Sequence, residues 1–209
     1  MTLLAVPVGA TEQHGPHLPL TTDTDIAVAL VERLPGAVAA PPLCFGSSGE
    51  HAGFFGTLSI GQPATQRLLI ELGRSACESY SHVLFVSTHG GNAAPVARAV
   101  EYLRFEGRDV RAWSPRFGGD AHAGRTETSL MLALDPARVN LDLAEPGCTD
   151  DIAALMPRLK REGVRAVSPN GILGDPAGAS AAEGRELLDR ATAELREFVA
   201  SWLGAEVTA

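Results

Sequence analysis

A buried strand that runs straight into a polar, glycine-rich loop and then a helix occurs twice in this sequence. The clearer case is the apolar run at residues 83–87, which is followed by Thr-His-Gly-Gly-Asn and a helical pattern over Ala93–Phe105. The other case starts with the apolar run Leu3–Val8 and leads to a helix that begins near Thr22 or Asp23. If the two strands are parallel, both loops lie at the carboxyl edge of one sheet, where open α/β sheets place their sites.

The loop after the first strand is dense in carboxylate and imidazole groups. Glu12 and His14 are two residues apart and point the same way if strand geometry continues through them. The glycine and two prolines at 15–19 stop any regular element, so the chain turns there and can bring Asp23 back to the same point. A carboxylate has two oxygens, which makes Asp23 the candidate for a ligand shared by two cations. The alternative is that Asp23 caps the following helix and that His14 and His17 are surface loop residues.

Three later loops carry the same kinds of side chain. The loop at 46–57 carries Glu50 and His51, and the loop at 88–92 carries His89 and Asn92. The loop at 117–129 carries His122, Arg125 and Glu127. Loops hold ordinary polar residues as well as functional ones, so Gly90-Gly91-Asn92 can equally be a plain turn or a phosphate cradle at a helix N-terminus. Likewise, Glu127 can be a first-turn acid that the helix dipole favours.

Composition narrows the class of protein. With 17 basic and 25 acidic residues the net charge is -8, and no basic stripe is present, which argues against a nucleic-acid surface. The sequence has no run of about 18 apolar residues and no signal-like N-terminus, so we expect a cytoplasmic protein without a membrane partner.

Cys44, Cys77 and Cys148 form no CxxC pair and are expected to be reduced thiols in the core. Without a repeat or linker, we expect one domain over residues 1–209.

The remaining elements follow from apolar spacing, breakers and capping signals. We predict extended chain at 37–45 and strands over Val110–Trp113 and Val164–Val167. Helices are predicted at 64–80, with Leu68, Leu69 and Leu72 on the apolar stripe, at 130–134, and from 150 to a break at Pro157. A capping box at 180–183 predicts the start of a long helix that runs to Leu203. The turn formers at 170–176 are expected to rim the site or join subunits.

Three blocks of the sequence share an unusual density of ligand-type residues: PVGATEQHGPHLPLTTD at 7–23, HGGN at 89–92 and HAGRTETS at 122–129. These blocks resemble the signatures of the creatininase family of metal-dependent amidohydrolases. A narrower resemblance, to the mycofactocin-system branch of that family, is carried by residues 48–51, 56–61, 166–168 and 171–176. The matching segments are spread over most of the chain, from residue 7 to residue 176.

The resemblance implies a layered α/β fold with a mostly parallel central sheet flanked by helices, a two-metal site and a homo-oligomer. By position, Glu12, His14, Asp23 and His89 match the family's metal ligands, with Asp23 as the bridge. His122 matches the histidine that is assigned to catalysis in the family.

Two departures from the family pattern accompany these matches. In creatininase a glutamate lies two residues after the histidine matched by His89, whereas this sequence has Gly91 there. We therefore predict that Glu127, the carboxylate of the third block that opens a helix, supplies the missing ligand. Family members usually have a segment before the first strand, where this sequence has only Met1 and Thr2, so we expect a late start or a missing helix that contributes to assembly.

The implied ligand set leads to a mechanism. Two divalent cations, Zn or Fe by ligand type with Mn as a further option, would hold a bridging hydroxide that attacks an amide carbon, and His122 would give a proton to the leaving amine. The narrower resemblance implies that the substrate is a modified ribosomal precursor peptide, cut to release its modified C-terminal Val-Tyr dipeptide. Glu50, His51, Asn92 and Arg125 are candidates for binding substrate or supporting the ligands.

Three other functions fit the same residues. A hydrolase of a creatinine-type cyclic amide or of a formamide would share every ligand, and an assay with the precursor peptide separates it from a peptidase. A non-catalytic metal-binding or scaffold protein would leave no open coordination position at its metals. A phosphate-binding module would use the backbone of the His89 loop and bind nucleotide without metal.

Overall fold

The computed structural model of the chain describes residues 2–204, and at its centre lies a four-stranded sheet. In chain order the strands are β1 (Leu3–Val8), β2 (Ala37–Ala39), β3 (His82–Ser87) and β4 (Val110–Trp113). Their order in the sheet is β2-β1-β3-β4, and every neighbouring pair is parallel. Because β1 and β3 lie side by side, the two strands that lead into polar loops end together at one edge of the sheet.

Helices make up most of the rest of the described chain. They are α1 (Thr22–Glu32), α2 (Gly61–Ala76), α3 (Ala93–Phe105), α4 (Arg125–Leu134), α5 (Ile152–Glu162), α6 (Val164–Val167) and α7 (Ala181–Leu203), with short 3-10 turns at Gly49–His51, Gly90–Asn92, Pro136–Arg138 and Leu141–Leu143. None of the helices within residues 2–204 combines the length and the apolar character that a membrane span requires.

The helices cover both faces of the sheet because the side chains of β1 alternate between two cores. Leu3 and Ala5 pack with apolar residues of α1, α4 and α7. Leu4, Val6 and Val8 pack on the other face with residues of α2 and α3. Burial of both faces is typical of parallel strands made of unbroken apolar runs. The predicted layered α/β fold with a mostly parallel central sheet is confirmed.

The stretch Val164–Val167, predicted as a strand, is the short helix α6. Gly163 has a φ of 78°, so α5 ends there and a new helical turn starts at once. Val164 is buried against Leu155 and Leu159 of α5. Packing against α5 thus overrides the strand preference of the β-branched residues.

The predicted break of α5 at Pro157 is also wrong, because the helix continues to Glu162. A proline in a helix removes one backbone donor, and this one lies on the exposed side of α5. Leu155 and Leu159 are buried on either side of it. Tertiary packing therefore holds the helix together across the missing hydrogen bond.

Other helix boundaries differ from the predicted ones by about a turn. Helix α2 covers Gly61–Ala76 and so begins and ends earlier than predicted. Leu68, assigned to its apolar stripe, is 39% exposed, whereas Leu69 is fully buried. Helix α4 begins at Arg125, earlier than predicted, which places Glu127 in its first turn.

The predicted cap of the last helix is confirmed. The hydroxyl of Ser180 accepts a hydrogen bond from the backbone N–H of Glu183 at 3.2 Å, and α7 begins directly after Ser180. The carboxylate of Glu183 accepts from Nε of Arg125 at 2.8 Å and from the hydroxyl of Ser129 at 3.0 Å. These contacts fasten α7 to the start of α4.

Candidate metal centre

The polar loops that follow β1 and β3 meet at the carboxyl edge of the sheet. A hydrogen bond of 3.0 Å from the backbone of Glu12 to the carbonyl of Leu20 closes the first loop, and α1 starts at Thr22. The hydroxyl of Thr88 donates to the carbonyl of Asp23 at 2.7 Å. This bond ties the start of α1 to the end of β3 and returns Asp23 to the loop that carries the first histidines.

Asp23 lies between two histidines. Its Oδ1 is 3.6 Å from Nε2 of His14, and its Oδ2 is 3.5 Å from Nδ1 of His89. The carboxylate is buried, and Oδ2 has no hydrogen-bond partner in the described chain. The N-cap of α1 is Thr21, so Asp23 is not the capping residue of that helix. The position of its carboxylate matches that of a ligand shared by two ions.

Glu12 is fully buried at the end of the first strand. Its Oε1 lies 3.3 Å from Nδ1 of His89 and 3.3 Å from Nε2 of His51. Within residues 2–204, neither of its carboxylate oxygens has a hydrogen-bond partner. A buried carboxylate without hydrogen bonds is costly, so this group fits a position that faces a cation.

The loop before α4 and the first turn of α4 add an imidazole and a carboxylate. Oε2 of Glu127 lies 3.8 Å from Nε2 of His14 and 3.9 Å from Nδ1 of His122. The backbone N–H of Ala123 donates to the same oxygen at 2.5 Å. Ala123 has a φ of 53°, the one positive value of a non-glycine residue within 2–204, and such a conformation costs about 1–3 kcal/mol. The strained turn thus fixes the carboxylate that faces His14.

Three of the imidazoles are held by a backbone carbonyl at one ring nitrogen. The pairs are Nδ1 of His14 with the Glu12 carbonyl at 3.1 Å, Nε2 of His89 with the Ser47 carbonyl at 2.9 Å, and Nε2 of His122 with the Gln13 carbonyl at 2.8 Å. A carbonyl only accepts, so each of these nitrogens carries a hydrogen. The second nitrogen of each ring faces carboxylates, which is the arrangement of metal-binding histidines.

Two of these imidazoles have a raised pKa. Burial opposes the charge on His14, but Asp23 and Glu127 outweigh burial and raise its pKa to about 10. Burial also opposes the charge on His89, but Glu12 and Asp23 raise its pKa to about 10. Burial pushes the pKa of Glu12 upward, while His89 more than offsets this and holds the pKa below its ordinary value. The protons on the two histidines therefore lie among carboxylates, where a bound cation would replace them.

The other buried imidazoles of this region are neutral. Burial, with His14 nearby, lowers the pKa of His122. Burial and His122 lower the pKa of His51 to about 3. Burial lowers the pKa of His17, which is a buried residue and not a surface one, to about 4. At neutral pH, Nδ1 of His122 is thus free to accept a proton.

The ligand atoms fall into two main groups, in each of which all atoms lie within 4.8 Å of one another. One group is Glu12, Asp23 and His89, and the other is His14, His122 and Glu127. A further group of Glu12, His51 and His122 overlaps both. Mixed carboxylate and imidazole ligands suit Zn, Fe or Mn. The donor set and the unpaired buried oxygens fit a pair of divalent cations.

A cavity of about 930 Å³ opens onto these groups. Glu12, His89 and His122 line it together with Glu50 and His51. Helix α5 and the loop at 170–176 contribute apolar side chains to its lining. Burial raises the pKa of Glu50, whose Oε1 lies 3.8 Å from Nε2 of His89. A substrate in this cavity would reach the metal-facing groups directly.

Asn92 and Arg125, predicted to bind substrate or to support the ligands, are engaged in bonds within the protein. Oδ1 of Asn92 accepts from the backbone of Ser47 at 2.9 Å, and Nδ2 donates to the carbonyl of Gly9 at 2.9 Å. Asn92 therefore links the end of β1 to the loop that carries His89's partner. Arg125 pairs with Glu183 and is not among the residues that line the cavity.

Gln13 is a further buried polar residue of the site and was not among the predicted site residues. Its side-chain amide contacts Nδ1 of His51 and the carbonyl of Gly171, both at 2.9 Å. Alternation along an extended stretch places its side chain opposite those of Glu12 and His14. This two-residue alternation can be read from the sequence. The contacts of Gln13 with His51 and Gly171 cannot, because those residues lie in loops that are distant in sequence.

A sequence model of the creatininase family, described as creatinine amidohydrolase, matches residues 1–199. The chain belongs to the creatininase family. The structure of a tryptophan-to-phenylalanine variant of creatininase superposes on this family member with a TM-score of 0.81 at 26% identity, covering 96% of this chain and 90% of that one. A related creatininase structure is named as a Zn–Zn type. The predicted family resemblance is thereby confirmed.

Curated members of the creatininase family are more similar in sequence. The mycofactocin precursor peptide peptidase of Mycolicibacterium smegmatis is 52% identical over 196 residues, which cover 88% of this chain and 79% of that protein. The protein of the same name from Mycobacterium tuberculosis strain H37Rv is 46% identical over 215 residues, covering 96% and 85%. The predicted narrower resemblance is therefore confirmed as well.

In this creatininase-family chain, position 91 has no room for a side chain. A Cβ atom added at Gly91 would lie 2.1 Å from the carbonyl oxygen of Ser47 and 2.3 Å from Oε1 of Glu50. Distances this short require the neighbours to move. The loop at 46–57, whose Ser47 carbonyl accepts from His89, thus occupies the space that a glutamate at position 91 would need.

Proposed function

We propose that this protein is a metal-dependent hydrolase that cleaves a peptide bond of the modified mycofactocin precursor peptide and releases its C-terminal Val-Tyr dipeptide. The geometric support is the position of Asp23 between Nε2 of His14 at 3.6 Å and Nδ1 of His89 at 3.5 Å, in a cluster of buried carboxylates. The similarity to proteins named as mycofactocin precursor peptide peptidases supports the choice of substrate.

The chain's own residues divide into two sets of ligands in this proposal. Glu12, Asp23 and His89 would hold one divalent cation, and Asp23 would also take part with His14 and Glu127 in holding the other. Zn and Fe suit these ligands best, with Mn as a further option. When bound, such cations supply Lewis acidity, which polarises a carbonyl and lowers the pKa of water to about 7.

His122 is the residue that moves a proton in this scheme. Its Nδ1 carries no hydrogen and lies 3.8 Å from Oε1 of Glu12 and 3.9 Å from Oε2 of Glu127. When a water oxygen attacks the amide carbon, Nδ1 takes up the released proton. Nδ1 then gives this proton to the nitrogen as the C–N bond breaks, which contributes about 10²–10⁴-fold to the rate. Nε2 stays bonded to the Gln13 carbonyl throughout, so the ring keeps its orientation.

The cavity suits the end of a peptide. Its volume of about 930 Å³ lies near the upper end of ordinary ligand sites, which run from roughly 300 to 1,000 Å³. Ile152 and Met156 of α5 line it and are each partly exposed, so they offer apolar surface to a substrate side chain. Glu50 and His51 are among the polar residues of the lining, and Lys160 and Arg161 at the end of α5 add positive charge to it.

The direct experiment incubates metal-loaded protein with the modified and the unmodified precursor peptide and follows the products by mass spectrometry. We expect the modified peptide to be shortened by its C-terminal dipeptide, and we expect a chelator to stop the reaction. Intact peptide in the presence of two equivalents of bound metal would contradict the proposed substrate.

A second candidate is a small-molecule amidohydrolase of the creatinine or formamide type. The structural similarity to creatininase favours it, because the two folds superpose over 96% of this chain. The evidence against this candidate is at position 91, where creatininase has a glutamate. Here Ser47 and Glu50 leave no space for a side chain at that position. Creatinine and a formamide should therefore be assayed beside the peptide, with turnover of either one in place of the peptide as the result that favours this candidate.

A further inference from the structure

The side-chain amide of Gln13 has one possible orientation. Its Oε1 lies 2.9 Å from the backbone nitrogen of Gly15, and its Nε2 lies 2.9 Å from the carbonyl oxygen of Gly171. A backbone N–H only donates and a carbonyl only accepts, so the amide oxygen must face Gly15 and the NH₂ group must face Gly171. The usual ambiguity between amide oxygen and nitrogen does not arise here.

The second hydrogen of this NH₂ group determines the tautomer of His51. Nε2 of Gln13 lies 2.9 Å from Nδ1 of His51, and both residues are buried. An amide nitrogen cannot accept, so Nδ1 of His51 must be the acceptor and the ring hydrogen lies on Nε2. Nε2 lies 3.3 Å from Oε1 of Glu12, close enough for an ion contact but without the alignment of a hydrogen bond in the metal-free structure.

The backbone of Gln13 determines the opposite state of His122. Nε2 of His122 lies 3.2 Å from the Gln13 amide nitrogen, but both amide hydrogens are already used by His51 and Gly171. The same ring nitrogen lies 2.8 Å from the Gln13 carbonyl, to which it donates. Nδ1 of His122 is therefore left without a hydrogen.

We infer that Gln13 is a positioning residue that assigns different roles to the neighbouring histidines: it holds His51 in the tautomer whose Nε2 carries the hydrogen, beside the metal-facing carboxylate of Glu12. His51 is then a support of the ligand Glu12 and not itself a ligand, although its ring lies in the same cluster. This inference rests on the proposed metal centre for its functional meaning. It goes beyond that proposal because it removes one histidine from the possible ligands and names the residue responsible.

The close packing around the amide supports this role. A Cβ atom at Gly171 would lie 2.0 Å from Oε1 of Gln13, so only glycine lets the chain pass at this distance. The φ of Gly171 is 83°, a conformation that also favours glycine. The loop at 170–176 therefore contributes to the centre by clamping Gln13, in addition to lining the cavity.

The test is a long-range ¹H–¹⁵N correlation spectrum of protein labelled at histidine, in which protonated and unprotonated ring nitrogens give separate signals. It is recorded on the metal-free and on the zinc-loaded protein, with the His51 signals assigned by their loss in His51→Leu. We expect Nδ1 of His51 to be unprotonated and Nε2 protonated in both forms. A proton on Nδ1, or loss of the Nε2 proton on addition of zinc, overturns the inference.

Two charge-matched variants separate the role of Gln13 from a general effect of charge. In Gln13→Glu the new carboxylate only accepts, so Nδ1 of His51 should gain a proton. In Gln66→Glu the same charge is placed beside Arg98, which contacts Gln66 at 2.8 Å, and the His51 signals should not change. An unchanged His51 spectrum in folded Gln13→Glu contradicts the inference, and if that variant does not fold, the wild-type spectrum decides.

Zinc titration distinguishes a supporting histidine from a ligand. His51→Leu should keep the wild-type number of zinc equivalents but bind them about 10- to 100-fold more weakly. Loss of one equivalent would make His51 a ligand and overturn the inference. If the wild-type protein binds no zinc, the proposed function fails, whereas the tautomer of His51 in the metal-free protein still tests the role of Gln13.

Discussion

Oε1 of Glu12 lies 3.3 Å from Nδ1 of His89, although the two residues follow different strands of the sheet. The contact exists because β1 and β3 are parallel neighbours, so that their carboxyl ends deliver both side chains to one place. Each group changes the pKa of the other, downward for Glu12 and upward for His89. In the metal-free protein the positive charge of protonated His89 balances the charge of the Glu12 carboxylate, and a bound cation can replace that proton.

Metal affinity is expected to rise with pH. Each cation has to displace a proton from His14 or His89, and the pKa of both residues is about 10 in the metal-free protein. Competition between the protein and a chelator for zinc, measured at several pH values, should show tighter binding up to about pH 10, with protons released on binding. An affinity that is independent of pH after correction for the chelator would contradict this.

The stability of the metal-free protein should depend on pH in two windows. The raised pKa of His14 and His89 contributes stability that is complete below the ordinary value of 6.5 and is lost as pH rises through about 10. The lowered pKa of Glu12 contributes stability that is present above 4.5 and is lost as pH falls further. Urea unfolding across this range should show a smaller free energy of unfolding at both ends, and the alkaline decline should flatten in a double His14→Gln, His89→Gln variant.

Substitutions of Asp23 and Glu127, two of the three proposed acidic ligands, should differ in metal content. Asp23→Asn alters the carboxylate that lies between His14 and His89, so both equivalents of metal should bind weakly. Glu127→Gln affects one set of ligands, so one equivalent should be lost and the other kept. Asp109→Asn, at a half-exposed partner of His82, is the control and should keep both equivalents. Two tightly held equivalents in Glu127→Gln would remove that residue from the ligands.

His122→Ala should retain its metals and lose turnover. The loss should be about 10²–10⁴-fold in kcat with the modified peptide, because the proton acceptor at Nδ1 is gone. His82→Ala is the matched control, since His82 contacts Asp109 and lies outside the cavity lining. Wild-type turnover in a folded His122→Ala protein would show that the proton moves elsewhere.

Two adjacent glycines provide a sharp comparison. In Gly91→Ala the new methyl group meets the Ser47 carbonyl, which must shift away from His89, so we expect a destabilisation of about 1–3 kcal/mol and weaker zinc binding. In Gly90→Ala a Cβ atom meets nothing within 4 Å, and both properties should stay close to wild type. Chemical unfolding and zinc titration of the two variants measure the difference. Equal effects would mean that the Ser47 carbonyl does not position His89.

The strands and the main clusters of polar residues were predictable because they depend on local patterns. The unbroken apolar runs that became β1 and β3 indicate burial on both faces, and the loops after them carry the expected carboxylates and imidazoles. The helix α3 was predicted with both of its ends, since the sequence breaks its apolar period at Asn92 and after Phe105. These signals lie within a few residues of the features they describe.

The errors concern packing contacts that residue preferences do not encode. The strand preference of valine gave the wrong element at Val164–Val167, because Val164 packs back on Leu155 and Leu159 of the preceding helix α5. The pairing of Arg125 with Glu183 joins two helices far apart in sequence. The role of Gln13 depends on contacts with His51 and the 170–176 loop, which only the folded chain brings to it.

The backbone carbonyls that hold His14, His89 and His122 have a consequence for how this protein can change. Every residue type has the same carbonyl, so no point substitution at residue 12, 13 or 47 can delete these acceptors. Substitutions can therefore change the side chains of the cavity wall, for instance along α5, without changing the acceptors that orient the three rings. New specificity should therefore accumulate in the cavity wall, whereas the three rings should lose their acceptors only where the path of the loops changes, through an insertion, a deletion or a crowding substitution such as one at Gly91.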